Sequence, residues 1–566
     1  MMNTDKAICR RIAVLLAAYG IRDVVLCPGN RNAPLIMAVS RHRQLTRHVV
    51  VDERSAAFIA LGMSVQSDRP VAVICTSGSA LMNLAPAAAE AYYRGVPLIL
   101  ISADRPAAHI DISEPQTMRQ PGALANIVKF STDLPADSSN DDNLQWANRL
   151  INDALHMAVT GTKGPVHINI HIHEPLTNEI ETSDGECDMS GKYAYTMPQP
   201  TLSVAEARAL GQMLAPPSKI LVVAGFMSPH SRINRAMQKL ASLPNVTVLA
   251  EAQSNIHADR VHGNIDGLLT LMSHDMSQEM APDVVITAGG TTASHSLGKW
   301  LRSLAGLRHW SINQSNTAPD LFSHLERRIM MSPEIFLPQL ASAMTPLRSC
   351  ESSYNDNWNT LAGKIQDKTD TYLKNVRWSA LKAMDMVVAM APPHCNVHVS
   401  NGMSVRLLQI TGYKRLHRVE CNRGISGIDG CTSTALGAAL STDNPTWLLT
   451  GDMSAQYDIA ALAFHSIPDN FKMVVFSNRG GNIFRIIPST RHLPELEECF
   501  AADVRLPLDT LAKAYNLEYF EADNEEELAR TGKDFRNCRK AAILNLILDE
   551  EADIKAYKNY FSHLRT

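Results

Sequence analysis

Between Trp447 and Phe484 the chain runs through an apolar stretch, a helical stretch and a second apolar stretch, and each apolar run stops at a polar cluster. The first, Trp447 to Leu449, ends at Gly451-Asp452, and the second, Met473 to Phe476, ends at Asn478-Arg479-Gly480-Gly481. Ser454 to Phe464 between them has helical spacing. A strand, a helix and a strand in such quick succession read as a unit of a parallel sheet. That sheet would place Asp452 and Asn478 at the carboxyl ends of adjacent strands, where open α/β sheets bind ligands.

The residues at those ends suit a divalent cation and a diphosphate. Magnesium takes hard oxygen donors in an octahedron. Asp452, the Asn478 side chain and the Gly480 carbonyl would supply the protein's share, with phosphate oxygens completing the set. A helix opening at Met453-Ser454 would aim backbone amides at the phosphates. Gly451 and the pair Gly480-Gly481 would let the backbone approach the ligand closely. The alternative is a pair of ordinary strand-ending turns, one with an aspartate capping a helix and one an Asn-Arg-Gly-Gly turn. A Gly-Asp pair followed 26 positions after Asp452 by Asn478 resembles the thiamine diphosphate motif.

The same alternation fills the chain, whose 566 residues exceed what one core organises. Residues 1–185 read as helix 4–18 and strands at Asp23–Cys27, His48–Val51, Val71–Cys75, Leu98–Ser102 and Val166–Ile172, with helices 34–43, 54–66 and 79–92 between. A polar stretch, 183–200, reads as a linker. Residues 200–345 repeat the pattern as a Rossmann-like layer with strands Lys219–Ala224, Val246–Ala250, Val284–Thr287 and His309–Ile312, and a second polar segment covers 347–358. Residues 360–566 hold the opening motif among strands near Asn396–Val399, Arg418–Glu420, Thr446–Thr450, Met473–Ser477, Glu518–Glu521 and Ala542–Ile547. The fold class is therefore α/β, with three doubly wound parallel-sheet domains.

A net charge of −4 without a basic run gives no support for a nucleic-acid partner. The ten cysteines include no Cys-x-x-Cys pair, which argues against a disulfide framework or zinc site and suits a reducing cytoplasm. The apolar part of the N-terminus is broken by Tyr19-Gly20 and reads as a domain helix instead of a signal peptide. No window reaches the roughly 18 continuous apolar residues of a membrane span.

Glu53, in VVVDERSAAFIALG, follows the strand expected at 48–51. Thiamine diphosphate becomes reactive when a carboxyl group shares a proton with N1′ of its aminopyrimidine, and a carboxyl group in an apolar crevice can do so near neutral pH. Asp52 and Glu53 could equally open a helix in favour of its dipole. NRGISGIDG, residues 422–430, offers Gly424, Ser426 and Gly427 for close backbone contact, with Ile428 as an aliphatic wedge beneath a bent cofactor or as a core residue. TSGSALMN, residues 76–83, could wall the aminopyrimidine or merely connect two elements.

The strings CPGNRNAPL (27–35), VDERSAAF (51–58), TSGSALMN (76–83), VPLILISADRP (96–106), MRQPG (118–122), SNGMSVR (400–406), NRGISGIDG (422–430) and GDMSAQYD (451–458) together resemble the 2-succinyl-5-enolpyruvyl-6-hydroxy-3-cyclohexene-1-carboxylate synthases of the menaquinone pathway. The resemblance implies three domains of the thiamine diphosphate enzyme type: a pyrimidine-binding domain at 1–185, a central domain at 200–345 and a diphosphate-binding domain at 360–566. It implies magnesium or manganese as the cation. The implied reaction is decarboxylation of 2-oxoglutarate and addition of the resulting carbanion to isochorismate.

Both substrates are dicarboxylates, so local cations must gather them by charge-assisted contacts. The resemblance assigns Arg31, Arg105, Gln116 and Arg406 to isochorismate or the succinyl carboxylate, places Asn401 beside the reacting carbons and gives Arg423 to 2-oxoglutarate. Any one of these arginines taken alone could be a solvated surface residue. Ile483 and Phe484 would give a dry wall that favours decarboxylation, or form a core pair. The resemblance further implies a homodimer, or a dimer of dimers, with Glu53 of one chain meeting Asp452 of the other.

The chain departs from the family pattern in places. Asn30 and Asn32 stand where serines are usual, Pro115 precedes Gln116, Gly402 replaces a frequent serine, and His295 stands where a substrate-binding lysine is frequent. These departures bear on the isochorismate contacts more than on the cofactor chemistry. Other readings are another thiamine-dependent decarboxylase or carboligase, such as an acetohydroxyacid synthase, and a non-catalytic thiamine-binding protein. Glu53 speaks against the last. Residues 485–500 are a candidate lid.

Overall fold

The computed structural model describes residues 2–136, 141–182, 191–315, 317–346 and 351–566. Three six-stranded parallel sheets form the architecture, as the three rounds of alternation predict. In spatial order the first has strands Thr46–Val49, Asp23–Leu26, Val71–Cys75, Leu98–Asp104, Val166–His171 and Phe130–Leu134. The second runs Val261–His262, Val246–Ala250, Ile220–Ala224, Val284–Ala288, Arg308–Ile312 and Leu325–Ile329. The third runs Arg418–Glu420, Asn396–Val399, Thr446–Gly451, Phe471–Ser477, Ala542–Ile547 and Glu518–Ala522.

Differences from the sequence reading fall mainly at sheet edges. Phe130–Leu134, Val261–His262 and Leu325–Ile329 were not foreseen, and each is an edge strand. An edge strand has less apolar surface to cover and is kept short or polar, so FSTDL and LERRI lack the continuous apolar run that marks an inner strand. The strand expected at 48–51 lies at Thr46–Val49, also an edge. At the N-terminus Met2–Thr4 is an antiparallel partner of Glu179–Glu181, and the first helix begins only at Ala7.

Two polar segments are less free than their composition suggests. Residues 183–190 and 347–350, parts of the two expected linkers, lie outside the described residues. Past the first, the Gly191 carbonyl accepts from Asn148 and Asn152, and the Tyr193 amide donates to Asn152, so this stretch is docked on helix Asp141–Val159. Past the second, a helix starts at Tyr354 and runs to Asn375, with Tyr354 and Trp358 fully in the core. The polar letters around Trp358 conceal that anchor.

The chain resolves into two compact units. One comprises Met1–Met197, Gly424–Asp443 and Tyr457–Phe471, and the other Pro198–Arg423, Asn444–Gln456 and Lys472–Thr566. In the second unit, alternate residues of the central sheet serve two cores, as expected of a sheet covered on both faces. Ile220, Val222 and Ala224 pack on one side, while Leu221 and Val223 join a core continuous with Trp358, Val397, Trp447 and Leu544. That shared core is why two sheets make one unit.

Helix Glu53–Ser67 of the first unit is buried along its whole middle, from Ser55 to Val65. Its partner is helix Cys431–Ala439, also buried throughout. Two glycines set their approach: a Cβ on Gly62 would lie 1.9 Å from the Thr434 carbonyl oxygen, and one on Gly437 2.0 Å from that of Ile59. Backbone meets backbone here, with no flexible side chain to yield.

The eight described cysteines are all free, and Cys187 and Cys350 lie outside the described residues. Among the described residues no helix is long and apolar enough to cross a membrane.

Replacing Gly62 or Gly437 with alanine overpacks this contact and should destabilise the protein by about 1–3 kcal/mol. Gly363, in helix Tyr354–Asn375, faces open space, so Gly363→Ala should leave the melting temperature unchanged or raised. Equal melting temperatures for all three variants would refute the close helix contact.

Candidate functional site

Asp452 lies where strand Thr446–Gly451 passes directly into helix Asp452–Tyr457, and it is 2% exposed. A carboxylate this deep needs donors, and it has three from the backbone. The Met453 amide donates to Oδ1 at 2.7 Å, and the Asn478 and Gly480 amides donate to Oδ2 at 3.0 Å each. Burial pushes its pKa from 3.8 up to about 6, against the pull of these amides. The Met453 amide is thereby engaged by Asp452 and is not aimed outward, as the sequence reading expected. The helix expected at Ser454–Phe464 is broken at Asp458, whose buried carboxylate accepts from the Ser433 amide and hydroxyl.

The turn at the neighbouring strand end is equally constrained. Arg479 has φ 61° and Gly480 φ 114°, and a Cβ on Gly480 would lie 1.9 Å from the Ala501 carbonyl oxygen. Only glycine fits there. The Asn478 side-chain nitrogen donates to Asp553 at 2.7 Å, which turns its carboxamide oxygen away from Asp553 as the end able to face a cation. Asp553 also accepts from the Ala380 amide, and burial pushes its pKa up to about 7. Gly451 has open space where a Cβ would stand. Among the described residues no group of three or more His, Cys, Asp and Glu could hold a metal. The set here is of another kind: a carboxylate, a carboxamide oxygen and a carbonyl beside open space fit a hard cation that also binds phosphate.

Glu53 is the first residue of helix Glu53–Ser67, and Asp52 caps that helix by accepting from the Arg54 amide at 3.0 Å. The helix-opening reading of this pair therefore has a structural basis: Asp52 does the capping and Glu53 lies in the first turn. The buried thiols of Cys27 and Cys75 feel the Glu53 charge, which adds to burial in pushing both upward. In the same unit, both oxygens of the buried Glu90 accept at 2.8 Å from the Gly424 and Ile425 amides and fix the start of the loop that carries Ser426, Gly427 and Ile428. Ser426 is held at φ 62°. The Gly78 amide donates to Gln120 at 2.7 Å, and Ser77 and Gln116 exchange two hydrogen bonds, so the 76–79 turn is tied to the Gln116 segment.

The candidate anion-binding side chains fall into groups. Arg423 donates to Asn401 Oδ1 at 3.1 Å and to the Thr292 carbonyl at 2.9 Å, which brings Arg423 and Asn401 together with the loop leading to His295. His295 is the first residue of helix His295–Ser303, capped by Ser294. Arg406 donates to the Gly402 carbonyl and lines a small cavity with Glu251, Asp266 and Tyr557. In the first unit, Arg31 donates to the Ile172 carbonyl and pairs with Glu174 at 3.1 Å. Arg105 pairs with Glu114. Ile483 and Phe484 lie in helix Asn482–Ile486, with the Phe484 ring 5.7 Å from that of Phe500. In the segment read as a candidate lid, Arg485 pairs with Glu497.

Glu90, Asp553, Gln120 and Glu251 escaped the sequence reading. Glu251 is fully buried and accepts from the Ala293 and Ser294 amides, so it holds the loop before His295. Glu90 had a signal, as the lone acid of the alanine-rich helix Ala85–Arg94. Asp553 had none, because it sits among the acids that open helix Glu550–Arg565.

The chain is similar to known proteins along its whole length. Residues 8–124 match the family model described as thiamine pyrophosphate enzyme, N-terminal TPP binding domain. Three bacterial proteins, each named 2-succinyl-5-enolpyruvyl-6-hydroxy-3-cyclohexene-1-carboxylate synthase, align along nearly their whole length. The protein from Porphyromonas gingivalis is 34% identical over 100% of this chain and 98% of its own. Those from Flavobacterium psychrophilum and Cytophaga hutchinsonii are 35% and 36% identical, covering 96% and 97% of both chains respectively. With a full-length match at this identity and a parallel-sheet fold with a buried Asp452 cluster, the chain belongs to the 2-succinyl-5-enolpyruvyl-6-hydroxy-3-cyclohexene-1-carboxylate synthase family of thiamine diphosphate-dependent enzymes.

Proposed function

We propose that this enzyme decarboxylates 2-oxoglutarate on thiamine diphosphate and joins the remaining four-carbon unit to isochorismate, releasing carbon dioxide, as a step of menaquinone biosynthesis. The observation that carries the reading is the Asp452 cluster, a buried carboxylate beside the Asn478 carboxamide and the glycine-only turn at Gly480. Asp452, Asn478 and the Gly480 carbonyl would hold magnesium or manganese. Gly451, Met453, Ser454, Gly481 and Ile483 would line the diphosphate end, and Ser426, Gly427 and Ile428 would support the bent cofactor. The cofactor, when bound, supplies a carbon nucleophile and a sink for the electron pair left by carbon dioxide.

The chain's residues would bind, orient and shield. Glu53 would share a proton with the aminopyrimidine. Arg423 and Asn401, already joined, would hold the 2-oxo acid, with Arg406 and His295 nearby in sequence to their loops. Arg31, Arg105 and Gln116 would take the ring substrate's carboxylates, and Phe484 with Ile483 would exclude water.

The reading carries with it three functional domains, at 1–185, 200–345 and 360–566, each supported by one sheet. It includes a homodimer or dimer of dimers in the cytoplasm, with Glu53 of one chain serving the cofactor held by Asp452 of the other. Exposed apolar side chains on the Glu53-bearing unit, among them Val51, Tyr93, Ile425 and Tyr457, support a second copy as partner.

Purified protein with magnesium thiamine diphosphate and 2-oxoglutarate should release carbon dioxide in step with isochorismate loss. Release that ignores isochorismate would point to a simple decarboxylase and overturn the assignment. Glu53→Gln should lower kcat by roughly 10²–10⁴-fold; a variant as fast as the parent would remove Glu53 from the mechanism.

Glu90→Gln turns an amide donor toward the Gly424 and Ile425 amides and should weaken thiamine diphosphate binding about tenfold, the effect of roughly one unsatisfied buried group. Quenching of tryptophan fluorescence on titration with the cofactor measures this. Unchanged affinity would detach the 424–430 loop from the cofactor.

A further inference from the structure

At the carboxyl end of the first sheet, three adjacent strands bring a histidine between two acids. His171 ends Val166–His171, Asp104 ends Leu98–Asp104 directly opposite it, and Asp133 lies on Phe130–Leu134 on the other side. His171 Nδ1 is 2.5 Å from the Arg105 carbonyl oxygen, and Nε2 is 3.1 Å from Asp133 Oδ2. A carbonyl can only accept, and so can an ionised carboxylate. Asp133 is 40% exposed and its other oxygen already accepts from Asn169 at 2.8 Å, the setting of an ordinary carboxylate. Both ring nitrogens must then carry hydrogen, and the ring is an imidazolium.

The surroundings agree. Asp104, fully buried, places Oδ2 3.8 Å from Nδ1 and accepts from the Arg105 amide at 2.8 Å. Asn169 donates to both acids and accepts from Gln120, which holds the Gly78 amide. His167, two pairs back on the same strand, is buried and pushed down to about 4, so it is neutral and brings no competing charge. The hydrogen bond to Asp133 leads the causes that push His171 up from 6.5 to about 9. The clasp is therefore complete near neutral pH and loses one of its two hydrogen bonds as pH rises through about 9, when one nitrogen becomes an acceptor facing another acceptor.

We propose that His171 is a positioning residue whose imidazolium clasps the Arg105 carbonyl and so aims the Arg105 side chain at a substrate carboxylate. This rests on the reading of Arg105 as a substrate-binding residue. The backbone leaves the sheet at Arg105, so a hold on its carbonyl sets the direction of the guanidinium without neutralising it. Loss of the imidazolium would free that exit and weaken substrate binding, while the chemistry at the cofactor would continue.

The test measures kcat and KM for isochorismate from pH 7 to 10 in the parent, His171→Gln and Arg105→Gln, with ¹⁵N-histidine spectra of the parent, His171→Gln and Asp133→Asn. The His171 signal is identified by its loss in His171→Gln. In the parent KM should rise between pH 8 and 10. In His171→Gln it should already be raised at pH 7, by roughly 3- to 10-fold as for one hydrogen bond, flat with pH, and with kcat within about twofold. The parent spectrum should show a doubly protonated ring at pH 7.5, and Asp133→Asn should move its titration to lower pH. A neutral ring at pH 7.5 overturns the proposal, with or without a folded His171→Gln protein. A raised KM in Arg105→Gln together with an unchanged one in His171→Gln overturns it too. An unchanged KM in Arg105→Gln instead refutes the substrate role of Arg105 itself.

Discussion

A carboxylate with almost no access to water is the constraint from which the geometry of the candidate site follows. Asp452 is tolerable in its place only because three amides point at it, and those amides come from two strand exits. One is the start of its own helix. The others belong to a turn that must adopt left-handed backbone at Arg479 and Gly480 to present them. The ion thus dictates the turn and joins two neighbouring strand ends at the edge where α/β sheets bind ligands. A second buried acid, Asp553, fixes the Asn478 side chain, and the Asp452 charge helps to push it upward. Two buried acids so placed make a locus whose natural complement is a cation.

Gathering dicarboxylates on a chain with net charge −4 needs cations that are oriented but not cancelled. Backbone carbonyls do this. Arg31 is held by Ile172, Arg406 by Gly402 and Arg423 by Thr292, and a neutral acceptor directs a guanidinium while leaving its charge available. Glu174 and Glu114 act differently, since each offsets the charge of the arginine it meets. A substrate carboxylate approaching Arg31 or Arg105 would meet a guanidinium paired with a carboxylate, whereas Arg423 donates to the neutral Asn401 side chain and a carbonyl.

Inner strands were legible because they are buried on both faces, so Ile220–Ala224 or Leu98–Asp104 could hardly be anything else. Edge strands were not, because the physics that protects an edge removes the apolar run that identifies it. The helix behind Glu53 was legible for a similar reason: a run such as SAAFIALGMSV suits only a helix buried on every side. Asp452 and Asn478 were legible through spacing. Their supports were not, since Glu90, Glu251 and Asp553 act through tertiary contacts with amides distant in sequence, and an acid in a helix looks the same whether it faces water or a buried loop.

Backbone conformation marks another boundary of what letters convey. Gln116, Ser426 and Arg479 are all non-glycine residues in the left-handed region, at φ 59°, 62° and 61°. Each stands in or beside a candidate contact, for the ring substrate, the cofactor wedge and the cation respectively. Such a conformation costs of order 1–3 kcal/mol and persists only when the surroundings over-determine it. The surroundings do so here: Ser77 bonds Gln116 from two sides, Glu90 pins the residues just before Ser426, and Asp452 accepts from the amides on either side of Arg479. A glycine would relieve the backbone at each position and would delete a side chain, so strain retained beside three separate contacts points to those side chains, or the direction they impose on their neighbours, as what the fold is built to keep.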